Sequence, residues 1–294
     1  MLRFNMLLRE AGIAPTETAV LLHTPIQPGL RRMLPWIAAE EPEVFDAYQA
    51  NHSDGVEKTL LGRRWVASFV GTTEKRLVFV GMFENRGSTF EIWEAMDRLS
   101  AFQRLASIAD HPSMVERHAG SSRTGRLKFD LRKADVLASL VGRVIIATPP
   151  GRNYGRLAEN LDPEVVAVRE TASLVPDPPD WREFVVTAKE VRSLPRSWKA
   201  RLAEWRGIYL IVDTTDGARY VGSACGAANI LGRWQAHVAG DHGVTAELSK
   251  RPVEGFRFSI LERTSPDLGA RDVVAIENDW KRRLHTVDHG LNTG

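Results

Sequence analysis

Arg206-Gly207-Ile208-Tyr209-Leu210-Ile211-Val212, then Asp213-Thr214-Thr215-Asp216-Gly217, then Ala218-Arg219-Tyr220-Val221-Gly222, reads as strand, turn and strand. The outer runs are strand-like, and the Asp, Thr and Gly residues between them favour a tight reversal, so the stretch predicts a hairpin. Upstream, Trp198-Lys199-Ala200-Arg201-Leu202-Ala203-Glu204-Trp205 has the pattern of an amphipathic helix leading straight into Gly207. Downstream, residues 229–239 fit a helix, 256–261 a third strand and 271–286 a second helix. The order β-β-α-β-α across residues 205–294 predicts a compact α/β unit.

Polar residues stand out on both predicted helices. Arg233 and His237 are spaced i, i+4 and share one helix face, while Leu231, Trp234 and Val238 fall toward another. Glu277 has Val273 and Val274 one turn before it and Trp280 and Leu284 after it, which sets a carboxylate within the apolar face. A charge there is costly unless it is paired or metal-bound. Metal ligation is the leading expectation, and an i, i+4 ion pair with Lys281 is the alternative.

Taken in order, Gly207-Ile208-Tyr209, Tyr220-Val221-Gly222, Gly232-Arg233-Trp234, His237, Glu277 and Asn292 resemble the GIY-YIG nucleases. The resemblance implies metal-assisted hydrolysis of a DNA phosphodiester. On it, Tyr209 and Tyr220 face one site, Arg233 clamps the phosphate, and Glu277 ligates Mg²⁺, with Mn²⁺ as a substitute. Tyr209 is the first choice of general base with His237 as its relay, and direct action by His237 is the second. Asn292 would donate to phosphate or hold Tyr209, and Gly222 would let backbone and phosphate approach closely. His242, in Gly240-Asp241-His242-Gly243, is either a DNA contact or a plain loop residue.

The chain has 294 residues, 43% apolar and 26% charged, as expected of a globular protein with room for two domains. No apolar run reaches membrane-spanning length, and the opening residues lack the pattern of a signal peptide, so no membrane partner and a cytoplasmic location are expected. The lone Cys225 excludes an internal disulfide and a thiolate zinc cluster. With a net charge of only +2, DNA binding must come from the placement of Lys and Arg. Leu174-Val175-Pro176-Asp177-Pro178-Pro179-Asp180 reads as a linker, dividing the chain into domains 1–180 and 181–294.

In the first domain, Trp65–Gly71 and Arg76–Phe83 predict a half-buried hairpin across Thr72-Thr73-Glu74-Lys75. Strand patterns recur at 126–131, 142–147 and 165–168, and helices are expected near 2–11 and 42–51. Many short strands and few long helices predict a small β-barrel. Phe45-Asp46-Ala47-Tyr48-Gln49, Ser68-Phe69-Val70-Gly71, Leu77-Val78-Phe79-Val80-Gly81 and Gly142-Arg143-Val144-Ile145-Ile146 are similar to PUA-like barrels that precede nuclease domains in modification-dependent restriction proteins. That likeness implies a flipped-out, modified base held in an aromatic pocket. Candidates to stack on such a base or read its edge are Trp36, Tyr48, Gln49, Trp65, Ser68, Trp93 and Tyr154, with Tyr48 and Trp65 foremost. His23, His52, His111, His118, His285 and His289 lack metal-ligand spacing.

The leading expectation is thus a modification-dependent endonuclease acting on double-stranded DNA, dimerising if it breaks both strands. A structure-selective repair or mobile-element nuclease, or a nuclease fold that only binds nucleic acid, are the alternatives.

Overall fold

The computed structural model describes every residue except 73, 74, 110, 111, 152, 228, 241–245 and 294. The chain forms two compact units, Met1–Pro176 and Asp177–Gly294. No helix among the described residues is long and apolar enough to cross a membrane.

The first unit is built on seven strands: β1 (Thr18–His23), β2 (Trp65–Gly71), β3 (Arg76–Ile92), β4 (Gly125–Ala134), β5 (Val144–Ala147), β6 (Gly155–Leu157) and β7 (Val165–Val168). The sheet runs β6-β1-β2-β3-β5-β7, with β4 paired to the far half of β3. Among the described residues, β1 and β2 run parallel and the other pairs are antiparallel. Register shifts at Ser68/Phe69, Asn85/Ser88 and Ile145/Ile146 bend and twist the sheet. The sheet is curled, its path does not close among the described residues, and several helices accompany it, which makes the unit mixed α/β.

Three departures have physical reasons. β1 is buried along its whole length, so it lacks the polar alternation that betrays a half-buried strand. The Pro28–Glu40 helix opens on a proline and contains Pro35, residues that read as breaks in a sequence although the first turn tolerates one. The β2–β3 hairpin is buried on both faces over residues 77–83, not half-buried, because the Pro28–Glu40 helix covers the face opposite the Phe4, Phe69 and Phe79 cluster. Those three rings lie 5.0 to 5.5 Å apart between centroids. Part of the predicted reversal, residues 73 and 74, lies outside the described residues.

The second unit contains β8 (Val185–Thr187), β9 (Gly207–Asp213), β10 (Arg219–Ala224) and β11 (Phe256–Arg263), ordered β10-β9-β11-β8 and antiparallel throughout. Helices Arg196–Glu204, Asn229–Val238 and Ala270–Arg283 complete the expected order, and β8 adds a strand the sequence pattern did not announce. Strand alternation divides the sheet into two apolar faces. Ile208 and Val221 meet Val273, Ile276, Trp280 and Leu284 of the last helix. On the other face Phe258 packs against Trp234, whose ring also meets Phe184.

The hairpin turn is held by Asp213. Its carboxylate accepts from the Thr215 amide at 3.0 Å and pairs with Arg251 at 2.8 Å, while Gly217 takes a left-handed φ of 81°. A side chain at Gly207 would overlap the Glu262 carbonyl where β11 bulges.

Candidate active site and a second polar pocket

Tyr209 pairs with Gly222 across β9 and β10, and Tyr220 pairs with Ile211. Tyr209, Tyr220 and Gly222 therefore share one face. A Cβ at Gly222 would stand 2.5 Å from Tyr209 Cζ, closer still to its hydroxyl oxygen, and 2.9 Å from Tyr220 Cε1. The space expected to admit a phosphate is filled by the phenol of Tyr209.

The Asn229–Val238 helix buries Trp234 completely and turns Arg233 and His237 toward the tyrosines. Tyr209 Oη lies 2.8 Å from His237 Nε2, and the Tyr209, Tyr220 and His237 rings form a triangle with centroids 5.6 to 6.4 Å apart. The Arg233 guanidinium lies beside the same phenol and favours its charged form, and its charge also acts on Tyr220 and Glu277. A guanidinium only donates, so Arg233 favours the phenol oxygen as an acceptor, while the sense of the Tyr209–His237 bond follows the His237 tautomer. Burial, followed by the neighbouring Tyr220, pushes the Tyr209 phenol above its ordinary range, with Arg233 opposing.

Glu277 lies 2.7 Å from Lys281 Nζ, with both side chains mostly buried. The i, i+4 pair is formed, and the carboxylate is not the bare charge that would demand a metal. Among the described residues no three His, Cys, Asp or Glu side chains gather into a metal-binding group. The metal-compatible donor here is one carboxylate, which suits an ion that keeps waters and takes further oxygens from phosphate, as Mg²⁺ does.

Asn292 corrects its expected role. Its Oδ1 accepts from the Val221 amide at 2.9 Å and its Nδ2 donates to the Val221 carbonyl at 2.8 Å. Both ends of the amide engage the backbone between Tyr220 and Gly222, so the side chain braces the strand that carries Tyr220. His242 and His111 lie outside the described residues.

In the first unit, a cavity of about 380 Å³ is lined by His23, Tyr48, His52, Arg117, Arg126 and Tyr154, among others. Tyr48 and Tyr154 are thus brought together, but Trp65 and the remaining candidates do not line the cavity. Trp65 pairs with Thr18 and Val70 with His23, which sets Trp65 five residues, roughly 16 Å, along the strand from the cavity wall. Its ring packs on the core and under the Arg64 guanidinium. Gln49 and Ser68 are fully buried behind the wall, where Ser68 Oγ donates to Gln49 Oε1 at 2.8 Å. Trp36 is core, and Trp93 stacks on His118.

His23 and His52, which lack metal-ligand spacing, line this cavity instead. Both are buried, and desolvation lowers each to a pKa of about 3; for His23 the second cause is His52. The sequence signal that could have found His23 is a polar ring closing the apolar run Ala19–Leu22.

Residues 206–292 match the family described as the GIY-YIG catalytic domain. Among solved structures, the chain is similar to the catalytic domain of the homing endonuclease I-TevI, with 28% identity, 30% of this chain and 98% of that chain covered, and a TM-score of 0.26. It is also similar to a mutant of the catalytic domain of the intron endonuclease I-TevI, with 26% identity, 31% and 94% covered, and a TM-score of 0.27. No curated protein matches the chain.

Proposed function

We propose that this DNA endonuclease, a hydrolase by virtue of the GIY-YIG catalytic domain in residues 206–292, is modification-dependent, its first unit reading an altered base and its second cutting the phosphodiester backbone. The observation that carries the catalytic half is the Tyr209–His237 hydrogen bond at 2.8 Å with the Arg233 charge beside the phenol. A phenol kept neutral by burial is a poor base alone. Bonded to an imidazole, it takes a proton from the attacking water while passing its own to His237, so no free phenolate accumulates.

Tyr209 is fully buried in the free protein. On this reading the scissile phosphate draws Arg233 away from the phenol, which opens the Tyr209 oxygen to water and places a planar fork on the phosphate oxygens. Glu277 would hold Mg²⁺, or Mn²⁺ in its place, whose chemistry when bound is Lewis-acid stabilisation of the leaving oxygen. Lys281 shields that carboxylate until then. Asn292 and Gly222 position the two tyrosines and do not touch DNA.

For the recognition half, the support is the polar and aromatic cavity of the first unit, within the size range of small-molecule sites, together with the likeness to PUA-like readers of flipped bases. With one catalytic cluster per chain, breaking both strands requires two copies or two encounters. Cleavage of otherwise identical duplexes carrying unmodified, methylated, hydroxymethylated or glucosylated cytosine, in Mg²⁺, tests the whole reading. Preference for one modified duplex is expected. Equal cutting of all four would favour a structure-selective repair or mobile-element nuclease instead.

A further inference from the structure

The cavity of the first unit carries charge of one sign. Its wall holds two guanidiniums, Arg117 and Arg126, and among the described residues no carboxylate. His23 and His52 add no charge, because burial lowers both to pKa values of about 3. The result is a cationic hollow of about 380 Å³, the size of a small-molecule site.

Arg126 is held in place by neutral groups. Trp93 is buried, and its Nε1 donates to the Arg123 carbonyl at 2.8 Å. On that ring lie both the Arg126 guanidinium, 4.9 Å from the centroid, and the His118 imidazole, stacked at 4.1 Å. Arg126 Nη2 donates to His118 Nε2 at 2.8 Å, and His118 Nδ1 donates in turn to the Met114 carbonyl at 2.9 Å. A guanidinium only donates and a carbonyl only accepts, so this relay has one sense. It orients the guanidinium without cancelling its charge.

The carboxylates of the neighbouring Asp54–Leu60 helix are engaged elsewhere. Asp54 and Glu57 both pair with Arg123, and Glu57 also accepts from the Leu127 amide at 3.2 Å. Arg126 forms no ion pair among the described residues, and its buried Nε–H has no acceptor. Arg117 and Arg123 repel it, with Glu57 the one carboxylate that opposes them. A half-buried cation in that position is costly until an anion joins it.

Charge and shape narrow the choice of anion. The planar fork of a guanidinium matches phosphate oxygens. A phosphate monoester carries about −1.5 to −2 at pH 7, which two guanidiniums balance, whereas a diester within a DNA strand carries a single charge. Beside the guanidiniums stand the rings of Tyr48 and Tyr154. The Tyr154 hydroxyl is tied to His52 Nδ1 at 3.3 Å and to the Ser53 amide at 3.4 Å, so that ring is fixed. Aromatic faces of this kind suit a planar heterocycle.

We infer that this cavity is a phosphomonoester site, in which Arg117 and Arg126 take the phosphate and Tyr48 and Tyr154 face a planar heterocycle attached to it. The ligand class is a nucleoside monophosphate, either free or as the phosphorylated terminal nucleotide of a DNA strand. Such a ligand shares its cavity with the altered base proposed above, yet the guanidiniums select the charge of its phosphate and not a modification of its ring.

Equilibrium binding of the full chain, without divalent cation and at one salt concentration, tests this. Deoxycytidine 5′-monophosphate is compared with deoxycytidine, and a 5′-phosphorylated duplex with its 5′-hydroxyl twin. The phosphate should tighten binding by about tenfold or more, as charged hydrogen bonds do. A gain on the free monophosphate alone marks a small-molecule ligand, and a gain on the duplex marks a DNA end. Inorganic phosphate should compete in either case. In Arg126→Met, which keeps an unbranched apolar stem on Trp93, and in Arg117→Gln, at an exposed position, the gain should fall to about twofold or less. No gain from the phosphate in either pair would overturn the site, and an undiminished gain in both folded variants would place the phosphate elsewhere. If Arg126→Met fails to fold, Arg117→Gln decides alone. Duplexes with 5′-hydroxyl ends and an internal cytosine, modified or not, report base reading separately. A preference among them without a phosphate gain removes this site and leaves base reading standing, and the reverse result keeps the site and removes base reading.

Discussion

Replacing Gly222 with alanine puts one methyl group where the active-site phenol now sits. Its Cβ would lie 2.5 Å from Tyr209 Cζ and 2.9 Å from Tyr220 Cε1, against a relaxed carbon–carbon separation of about 3.5–4.0 Å. The two strands cannot spread at this point without breaking the ladder, because Gly222 and Tyr209 are direct partners in it. The ring must retreat by about 1 Å, which lengthens the 2.8 Å bond to His237 beyond hydrogen-bonding range. Overpacking of this kind costs about 1–3 kcal/mol of stability, and a 1 Å misplacement of a catalytic group costs on the order of 100-fold in rate. Single-turnover nicking of supercoiled plasmid with Gly222→Ala should therefore slow by about two orders of magnitude, in a protein that still melts cooperatively. Tyr209→Leu, which removes the phenol carbon and oxygen and leaves only the 2.9 Å approach to Tyr220 Cε1, should be inactive alone, and the double variant should be more stable than the two single losses added together. Wild-type nicking by Gly222→Ala, or strict additivity of the two stability losses, would refute the claim that the glycine exists to house the phenol.

Other outcomes are expected from the same geometry. Glu277→Ala should abolish Mg²⁺-dependent cleavage and leave DNA binding largely intact; substantial residual cutting would remove Glu277 from the chemistry. Lys281→Met should free that carboxylate and lower the Mg²⁺ concentration giving half-maximal nicking, and a rise would show that Lys281 assists the site. Arg233→Lys keeps the charge but loses the fork, so kcat should fall severely, whereas near-normal turnover would assign Arg233 a surface role. His23 and His52 have pKa values of about 3 in the folded protein and about 6.5 when unfolded, so below pH ~6.5 the unfolded chain binds the extra protons. Their contribution is complete above that pH and is lost as pH falls toward 3, at up to about 2.7 kcal/mol per pH unit for the pair. Urea unfolding of the first unit between pH 6 and 5 checks this, and a flat stability there would show that the rings are not buried neutral.

The second unit was the more legible half, and the reason is local. Its hairpin and its two flanking helices each bury one face, so alternation and i, i+4 spacing are written into short windows such as Ile208–Tyr209–Leu210 and Arg233–His237. β1 and the 77–83 part of β3 are buried on both faces, so their windows are simply apolar and say little about type. Contacts that depend on distant partners were hidden for a different reason. Nothing near Gln49 reveals that it accepts from Ser68, and nothing near Asn292 reveals that it binds the backbone of Val221. For the same reason Trp65 was a false lead: its type suited a stacking platform, but the parallel register with β1 carries it away from the cavity.

The Asn292 contact also bears on how copies of this chain can meet. β10 is the outermost strand of its sheet, and such strands invite pairing with other chains through their free amides and carbonyls. Here Leu291 donates to the Arg219 carbonyl at 2.8 Å, and Asn292 occupies both backbone groups of Val221. The middle of the strand that carries Tyr220 is thereby closed to strand exchange, which leaves β8, at the opposite edge of the sheet, as the strand with the freer backbone.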